Sequence, residues 1–249
     1  MTGSPASVLQ NASLARIDSR YNTNINAARD YFNPTIGITD YFYTDKGLPI
    51  NEDKTWNYND RFNIRSAEYQ DRFNVIEGYE IAALHFDREP RFYASMAFDG
   101  SIWYMQNSPS GTDRNTWDIR SRDGGNQAAV GPFSYSITGY WAKKLVNWKF
   151  VIGNGTFSSV NYPWPAMRLA DLYLLYAEAL NEVGLRDEAI GYLDKVRRRA
   201  GLEGVKESWE QYALNPAKFT TTEGLRDIIQ RERAAELAFE GHRYWDIRR

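Results

Sequence analysis

The stretch whose reading decides the fold is Arg231–Arg249, RERAAELAFEGHRYWDIRR, where charge and hydrophobe alternate almost residue by residue. It continues a helical pattern that Thr222 can cap, starting near Glu223 and running past Phe239. On a helical wheel, Leu225, Ile228, Ile229, Ala235 and Phe239 form one stripe, and Glu232, Glu236 and Arg243 fall inside it. Glu232, Glu236 and Glu240 repeat at four-residue spacing, which repels in an isolated helix. A buried carboxylate without a partner costs several kcal/mol, so these acids must meet cations. Arg243, three residues beyond Glu240, can supply one. Arg197 is the best remote candidate, with Arg168 and Arg199 as others. The reading is a buried ion-pair network that clamps this helix to the elements before it. A solvated charged face conflicts with the wheel. A metal or catalytic cluster conflicts with it too, because His242 lies about 120° from Glu236 and no Glu-x-x-His pair forms.

Working back, residues 165–249 read as helices. Pro165 suits a first helical position and Gly184 a C-terminal stop. Between them Leu169, Leu172, Tyr173, Tyr176, Leu180 and Val183 share a face that Leu174 and Leu175 widen, which predicts a helix apolar nearly all round and buried among others. A second helix follows, with Ala189, Leu193, Val196 and Ala200 on one stripe and a stop at Gly201. The short connection makes the two an antiparallel hairpin. Small Ala177 and Ala189, with Tyr192, give it a tetratricopeptide-like character, in a single copy.

Residues 1–164 are different. Asn, Asp, Gly, Ser and Thr recur every few residues, long helical periodicity is missing, and short strands are expected at Arg91–Ala97 and around Ser134–Leu145. The chain thus reads as two segments, a loop-rich, partly β one over residues 1–164 and a helical one over residues 165–249. The near-balanced net charge of −2 argues against a nucleic-acid binder. The absence of cysteine excludes disulfides, thiolate metal sites and a Cys nucleophile. No apolar run is long enough to span a bilayer, and the N-terminus lacks the layout of a secretory signal.

The unusual quantity is aromatic: 8 Trp, 17 Tyr and 12 Phe in a polar chain. Rings set in polar loops suit sugars, whose C–H faces stack on Trp and Tyr while Asn, Asp and Arg bond the hydroxyls. Candidate platforms are Trp56 and Tyr58, Trp103 and Tyr104, and Trp117; Trp141 and Trp148 alternate with apolar residues and are expected in the core. A glycoside hydrolase would use paired loop acids such as Asp113, Asp118 or Asp123, though no spacing singles out a pair. A helical peptide-binding adaptor would need several hairpins. Loops rich in Asp and Asn permit a Ca²⁺ ion, but no ligand spacing demands one, and no metal site or other cofactor is expected.

Three C-terminal blocks, MRLADLYLLYAEALNEVG (167–184), AIGYLDKVRRRAGL (189–202) and LRDIIQRERAAELAFEGHRYWDIRR (225–249), resemble the C-terminal region of the SusD/RagB family. DREPRFYASMAFDGSIW (87–103) is similar to a second family segment, and DYFYTDKGLPI (40–50) fits more loosely. The resemblance implies a mostly α fold, with a tetratricopeptide-like helical hairpin scaffold and a loop-rich, partly β ligand-binding region, in a non-enzymatic, glycan-binding lipoprotein of the Bacteroidetes outer membrane. It would sit on the cell surface by a lipidated N-terminal cysteine and deliver oligosaccharides or other nutrients to a SusC-type TonB-dependent transporter. Trp103 lies inside a family block, which favours a structural role. The missing lipidation cysteine, a length about half the family's, and the end at DIRR lead to the expectation of a fragment whose helices expose apolar faces.

Overall fold

In a computed structural model, which describes residues 5–17, 28, 30–108, 115–128, 136–153 and 156–248, the periodicity of the C-terminal third becomes a set of helices. The described residues divide into two compact units: residues 1–36, 63–84 and 93–164, and residues 37–62, 85–92 and 165–249. The helical unit thus takes in two excursions of the loop-rich half, so a single cut at 164/165 does not separate the two.

The first unit holds α1 (Pro5–Ser13) and four two-stranded antiparallel ribbons. These are β1 (Ile64–Ser66) with β2 (Glu80–Ala82), β3 (Ala97–Phe98) with β6 (Tyr140–Trp141), β4 (Ile102–Tyr104) with β5 (Thr116–Asp118), and β7 (Val151–Gly153) with β8 (Thr156–Ser158). Ribbons this short hold only when their apolar sides share a core. For the three ribbons formed by β3 to β8, Leu14, Trp103, Trp117, Trp141 and Phe150 supply it. Trp103 and Trp117 are direct cross-strand partners with ring centroids 5.6 Å apart, a pairing that pins the β4–β5 register. The strand expected at Arg91–Ala97 is mostly helix: α2 (Pro90–Ser95) begins at Pro90, whose fixed φ suits a first helical position, and only Ala97 joins a strand. Of Ser134–Leu145 only Tyr140–Trp141 is strand, a 3₁₀ turn takes Lys143–Leu145, and positions 134–135 lie outside the described residues.

Buried beneath β6 is Asp30, held at φ +51°. Its Oδ1 accepts from Trp141 Nε1 at 2.6 Å, while its Oδ2 is buried with no hydrogen-bond partner among the described residues. Burial pushes its pKa up from 3.8 to about 6, against the pull of the Trp141 bond. The folded state therefore holds this proton more tightly than the unfolded chain.

The second unit contains α3 (Leu169–Glu182), α4 (Arg186–Arg199), α5 (Val205–Tyr212), α6 (Thr222–Glu236) and α7 (Arg243–Arg248). α3 and α4 end alike. Leu185 N–H reaches Leu180 O at 2.9 Å and Gly184 N–H reaches Asn181 O at 3.1 Å; Leu202 and Gly201 repeat this on Arg197 O and Arg198 O, both at 3.0 Å. Both are Schellman stops, with glycine at positive φ where a Cβ would strain the backbone. The cap of α6 is Thr221 rather than Thr222: its Oγ1 accepts from Gly224 N at 3.0 Å.

The core of this unit joins Leu174, Ala177 and Leu180 of α3 to Ala189, Ile190, Leu193 and Val196 of α4, with Trp209 of α5 and Leu225, Ile228 and Ile229 of α6. The buried stripe of α3 is not the expected one. Leu169, Leu172, Tyr176 and Val183 are exposed, and Ala170, Asp171, Leu174, Ala177, Leu180 and Asn181 face inward. Alanine at the crossing lets the helices approach closely. The two polar positions are matched, Asp171 Oδ1 by Arg233 Nη1 at 2.7 Å and Asn181 Nδ2 by Thr222 O at 2.8 Å.

The carboxylates of α6 meet four arginines. Glu232, fully buried, accepts from Arg91 Nη1 at 2.6 Å and Arg197 Nη1 at 3.2 Å. Glu236 accepts from Arg199 at 2.5 Å, Arg168 at 2.9 Å and Arg91 at 3.2 Å. Burial alone would raise the Glu236 pKa, but Arg91, Arg199 and Arg168 together hold it below the usual carboxylate value. Glu240 pairs with Arg168 Nε at 2.7 Å. Arg91 also bonds Glu89 at 2.6 Å, and Glu89 in turn accepts from Tyr43 N at 2.8 Å. Arg197 donates to Gly47 O at 2.9 Å, and a Cβ on Gly47 would stand 2.5 Å from its Nη2. The expectation for Arg243 is corrected. α6 ends at Glu236, and Phe239 and Gly241 take positive φ, so Glu240 and Arg243 are not on one helix. Arg243 instead bonds Tyr41 Oη at 3.1 Å on the surface.

Two stability predictions follow the burial. Arg91→Ala, which leaves Glu232 and Glu89 short of a cation, should cost about 3–5 kcal/mol in a urea melt, whereas Arg243→Ala should cost under about 1 kcal/mol. Equal losses would place the lock elsewhere. For Asp30, stability should fall as pH rises from 3.8 through about 6. Asp30→Asn keeps an acceptor for Trp141 and suits positive φ; it should gain about 1–3 kcal/mol at pH 7.5 and flatten that slope in melts taken at pH 4, 5, 6 and 7.5.

Candidate functional site

The acidic cluster of α6 has no capacity left for chemistry, since Glu232, Glu236 and Glu240 are all spent on guanidinium groups. Among the described residues no group of three or more His, Asp or Glu side chains is placed to hold a metal ion. Of the loop acids, Asp118 lies 3.6 Å from Arg120, Asp123 is exposed, and Asp113 lies outside the described residues. A pocket at the C-terminal end of α6, walled by Ile38, Tyr41, Leu237, Phe239 and Arg243, has a volume of about 80 Å³. That is too small for a sugar ring, since ligand pockets start near 300 Å³.

The aromatic candidates separate sharply. Trp103 and Trp117, 1% and 3% exposed, are core residues whose faces no ligand can reach. They sit on the same inward side of a ribbon, which agrees with the place of Trp103 inside a family block, while the loop-like context of Trp117 gives no hint of burial. Trp148, expected in the core, is 52% exposed. Tyr104, one residue along β4 from Trp103, points to the other side of the strand and is 43% exposed. Trp56 and Tyr58 are half-buried, with Trp56 Nε1 3.4 Å from Phe86 O.

Two aromatic patches result, one in each unit. In the first unit Tyr104 Oη donates to Phe73 O at 2.9 Å, which ties the exposed Tyr104 ring to the turn carrying Tyr69, Arg72 and Phe73. The Arg72 guanidinium carbon lies 3.7 Å from the Tyr69 ring centroid and 4.2 Å from that of Phe73. Behind Tyr104, Lys143 Nζ donates to Tyr93 O and Ile102 O, both at 3.0 Å, and burial lowers its pKa to about 8. This lysine anchors β4 from the protein side. In the second unit Trp56 and Tyr58 lead into Arg61, whose guanidinium carbon is 3.9 Å from the Tyr58 centroid and 4.4 Å from that of Phe62. Guanidinium groups over ring faces hold both partners in place and leave the outer faces open.

The residues missed from sequence are Tyr69, Arg72 and Phe73 in one patch and Arg61 and Phe62 in the other. The signal was present: Tyr-Asn-Asp-Arg-Phe-Asn at 58–63 recurs as Tyr-Gln-Asp-Arg-Phe-Asn at 69–74. Arg91, which touches Glu89, Glu232 and Glu236, lies in the segment whose pattern predicts a strand, and its role in the network is not legible from sequence.

Comparison with known proteins places this architecture. The model of the SusD family matches residues 9–249. The chain is 42% identical over 97 residues to SusD-like protein P2 of Formosa agariphila, covering 39% of this chain and 18% of that protein. It is 38% identical over 80 residues to SusD-like protein P38 of the same organism, covering 32% of this chain and 15% of that protein. Among solved structures, BT4246 superposes with a TM-score of 0.74 and 28% identity over 96% of this chain and 37% of its own. A SusD-like protein of Bacteroides fragilis, BF3747, superposes over 96% of this chain and 39% of its own with a TM-score of 0.66 and 21% identity, a likeness of fold. The chain therefore spans well under half the length of these relatives. A match over nearly its whole length, on a mostly helical fold with only short two-stranded ribbons, makes the chain a member of the SusD family.

Proposed function

We propose that this chain binds oligosaccharides without cleaving them, as part of a cell-surface uptake system that passes them to a SusC-type TonB-dependent transporter in the outer membrane. The observation that carries the reading is the pair of solvent-facing aromatic and arginine patches in a member of the SusD family. A sugar ring offers an apolar C–H face and a rim of oxygens. An exposed Tyr or Phe beside a guanidinium offers the complement to both. Capture by such contacts needs no cofactor and no metal. Among the described residues no helix is long and apolar enough to cross a membrane. Glycoside hydrolysis would need two free carboxyl groups across a bound sugar, and the cluster on α6 is consumed by ion pairs.

A glycan array probed with the protein, with reducing-sugar release assayed in parallel, tests this. Binding without release is expected. Tyr104→Ala should weaken binding about tenfold while leaving the melting temperature within a degree or two. Trp103→Ala should instead cost about 3–5 kcal/mol of stability, because it empties a core site. Release of sugar by the wild type would replace capture with hydrolysis as the function.

A further inference from the structure

The two copies of Tyr-x-Asp-Arg-Phe-Asn agree in geometry as well as in sequence. In each, the arginine's backbone N–H and its Nη1 converge on the tyrosine carbonyl three residues earlier: 3.4 and 2.8 Å for Arg61 on Tyr58 O, 3.4 and 2.7 Å for Arg72 on Tyr69 O. In each, the guanidinium lies against the tyrosine and the following phenylalanine. In each, the closing asparagine carbonyl accepts from a neighbouring backbone N–H: Asn63 O from Ala83 at 2.8 Å, Asn74 O from Ile102 at 3.0 Å.

The backbone bonds are enough to hold such a turn, and they do not explain the phenylalanines. Phe62 is 62% exposed and Phe73 58%. Each stands in solvent within a patch that also holds an aromatic neighbour and a guanidinium, and such a patch is what marks a binding surface. The arginines are also underused. Beyond the tyrosine carbonyl and the two rings, neither has a polar partner among the described residues. The adjacent aspartates are engaged elsewhere: Asp60 by Asn57 Nδ2, and Asp71 by Glu68 N at 2.9 Å, with Arg65 at 3.7 Å. Each turn thus presents an exposed ring beside a guanidinium whose remaining N–H donors have no acceptor among the described residues.

We propose that the two turns are twin ligand stations, each taking one pyranose ring, with the sugar's C–H face on Phe62 or Phe73 and its oxygens on Arg61 or Arg72. This rests on the oligosaccharide reading above and adds to it the address and number of the contacts, two per chain. Vicinal hydroxyls and a uronate carboxylate offer the guanidinium the same paired acceptors.

Isothermal titration with trisaccharides of glucose, xylose and galacturonic acid tests it, with saturation-transfer NMR from the phenylalanine protons as a second readout. A trisaccharide that binds should show two sites per chain. Phe62→Ala and Phe73→Ala should each leave one site, and the double variant should bind at least about tenfold more weakly with an unchanged melting temperature. Phe→Trp at either position should retain its site. Arg61→Gln with Arg72→Gln should abolish galacturonate binding and only weaken neutral sugars if the carboxylate is the source of the acceptors, and should weaken both alike if hydroxyls are. Wild-type-like binding by the double Phe→Ala variant, or a single site in the wild type, would overturn the twin stations and leave the oligosaccharide reading standing. A wild type that binds none of the trisaccharides nor their parent polysaccharides would overturn both.

Discussion

The helical unit depends on one buried carboxylate. Glu232 sits on the apolar stripe of α6 with no water to solvate it, between Arg91 and Arg197. An ion in such a place is tolerated only when the surroundings supply its counter-charge and its hydrogen bonds. That requirement reaches far along the chain. Arg197 comes from α4, Arg91 from α2, and the other ends of those guanidinium groups are bonded to Gly47 O and Glu89. Segments distant in sequence are therefore tied to α6 by charge rather than by apolar packing alone. The excursions 37–62 and 85–92 belong to the helical unit, and these ion pairs act beside the core packing of Leu48 and the backbone bonds of Glu52 and Lys54 to Leu214 and Tyr212.

The same saturation decides what the acids are for. A cluster of glutamates at four-residue spacing is ambiguous on paper among a metal site, a catalytic pair and a lock. Each of the three has its lone pairs occupied by arginine, and the depressed pKa of Glu236 shows that the arginines outweigh its burial. A general acid would need the reverse balance, with burial winning and the proton retained near neutral pH. Asp30 does show that balance, but it lies in the core under Trp141, away from any open face. The carboxylates thus serve architecture, and the proposed recognition rests on the exposed rings instead.

Those rings are placed by strand and turn geometry. Trp103 and Tyr104 are neighbours in sequence and opposite in fate, because successive side chains of a strand point to opposite sides. Trp117 follows Trp103 inward because the two are register partners. Tyr69, Arg72 and Phe73 reach solvent because their turn precedes a paired segment, Val75 with Ser101, that anchors the backbone and leaves the side chains outside.

The sequence by itself determined the hairpin, its two glycine stops and the need of Glu232 and Glu236 for cations. These are local matters, set by helical period, by the conformational freedom of glycine and by the cost of burying charge. It also carried the family resemblance, which is dense in the ion-pair blocks. Only the tertiary structure decided which arginines answer, since Arg91 comes from a segment whose own composition reads as strand. Only it turned α3 to bury Asp171 and Asn181 while exposing Leu169 and Leu172, because partners for the polar pair come from α6 and its capping turn. And only it sorted the aromatics into core and surface. Trp103, Trp117 and Phe73 sit in similarly polar stretches and Trp148 among apolar neighbours, yet the first two are buried and the last two exposed, because burial there depends on contacts with a core that no local pattern reveals.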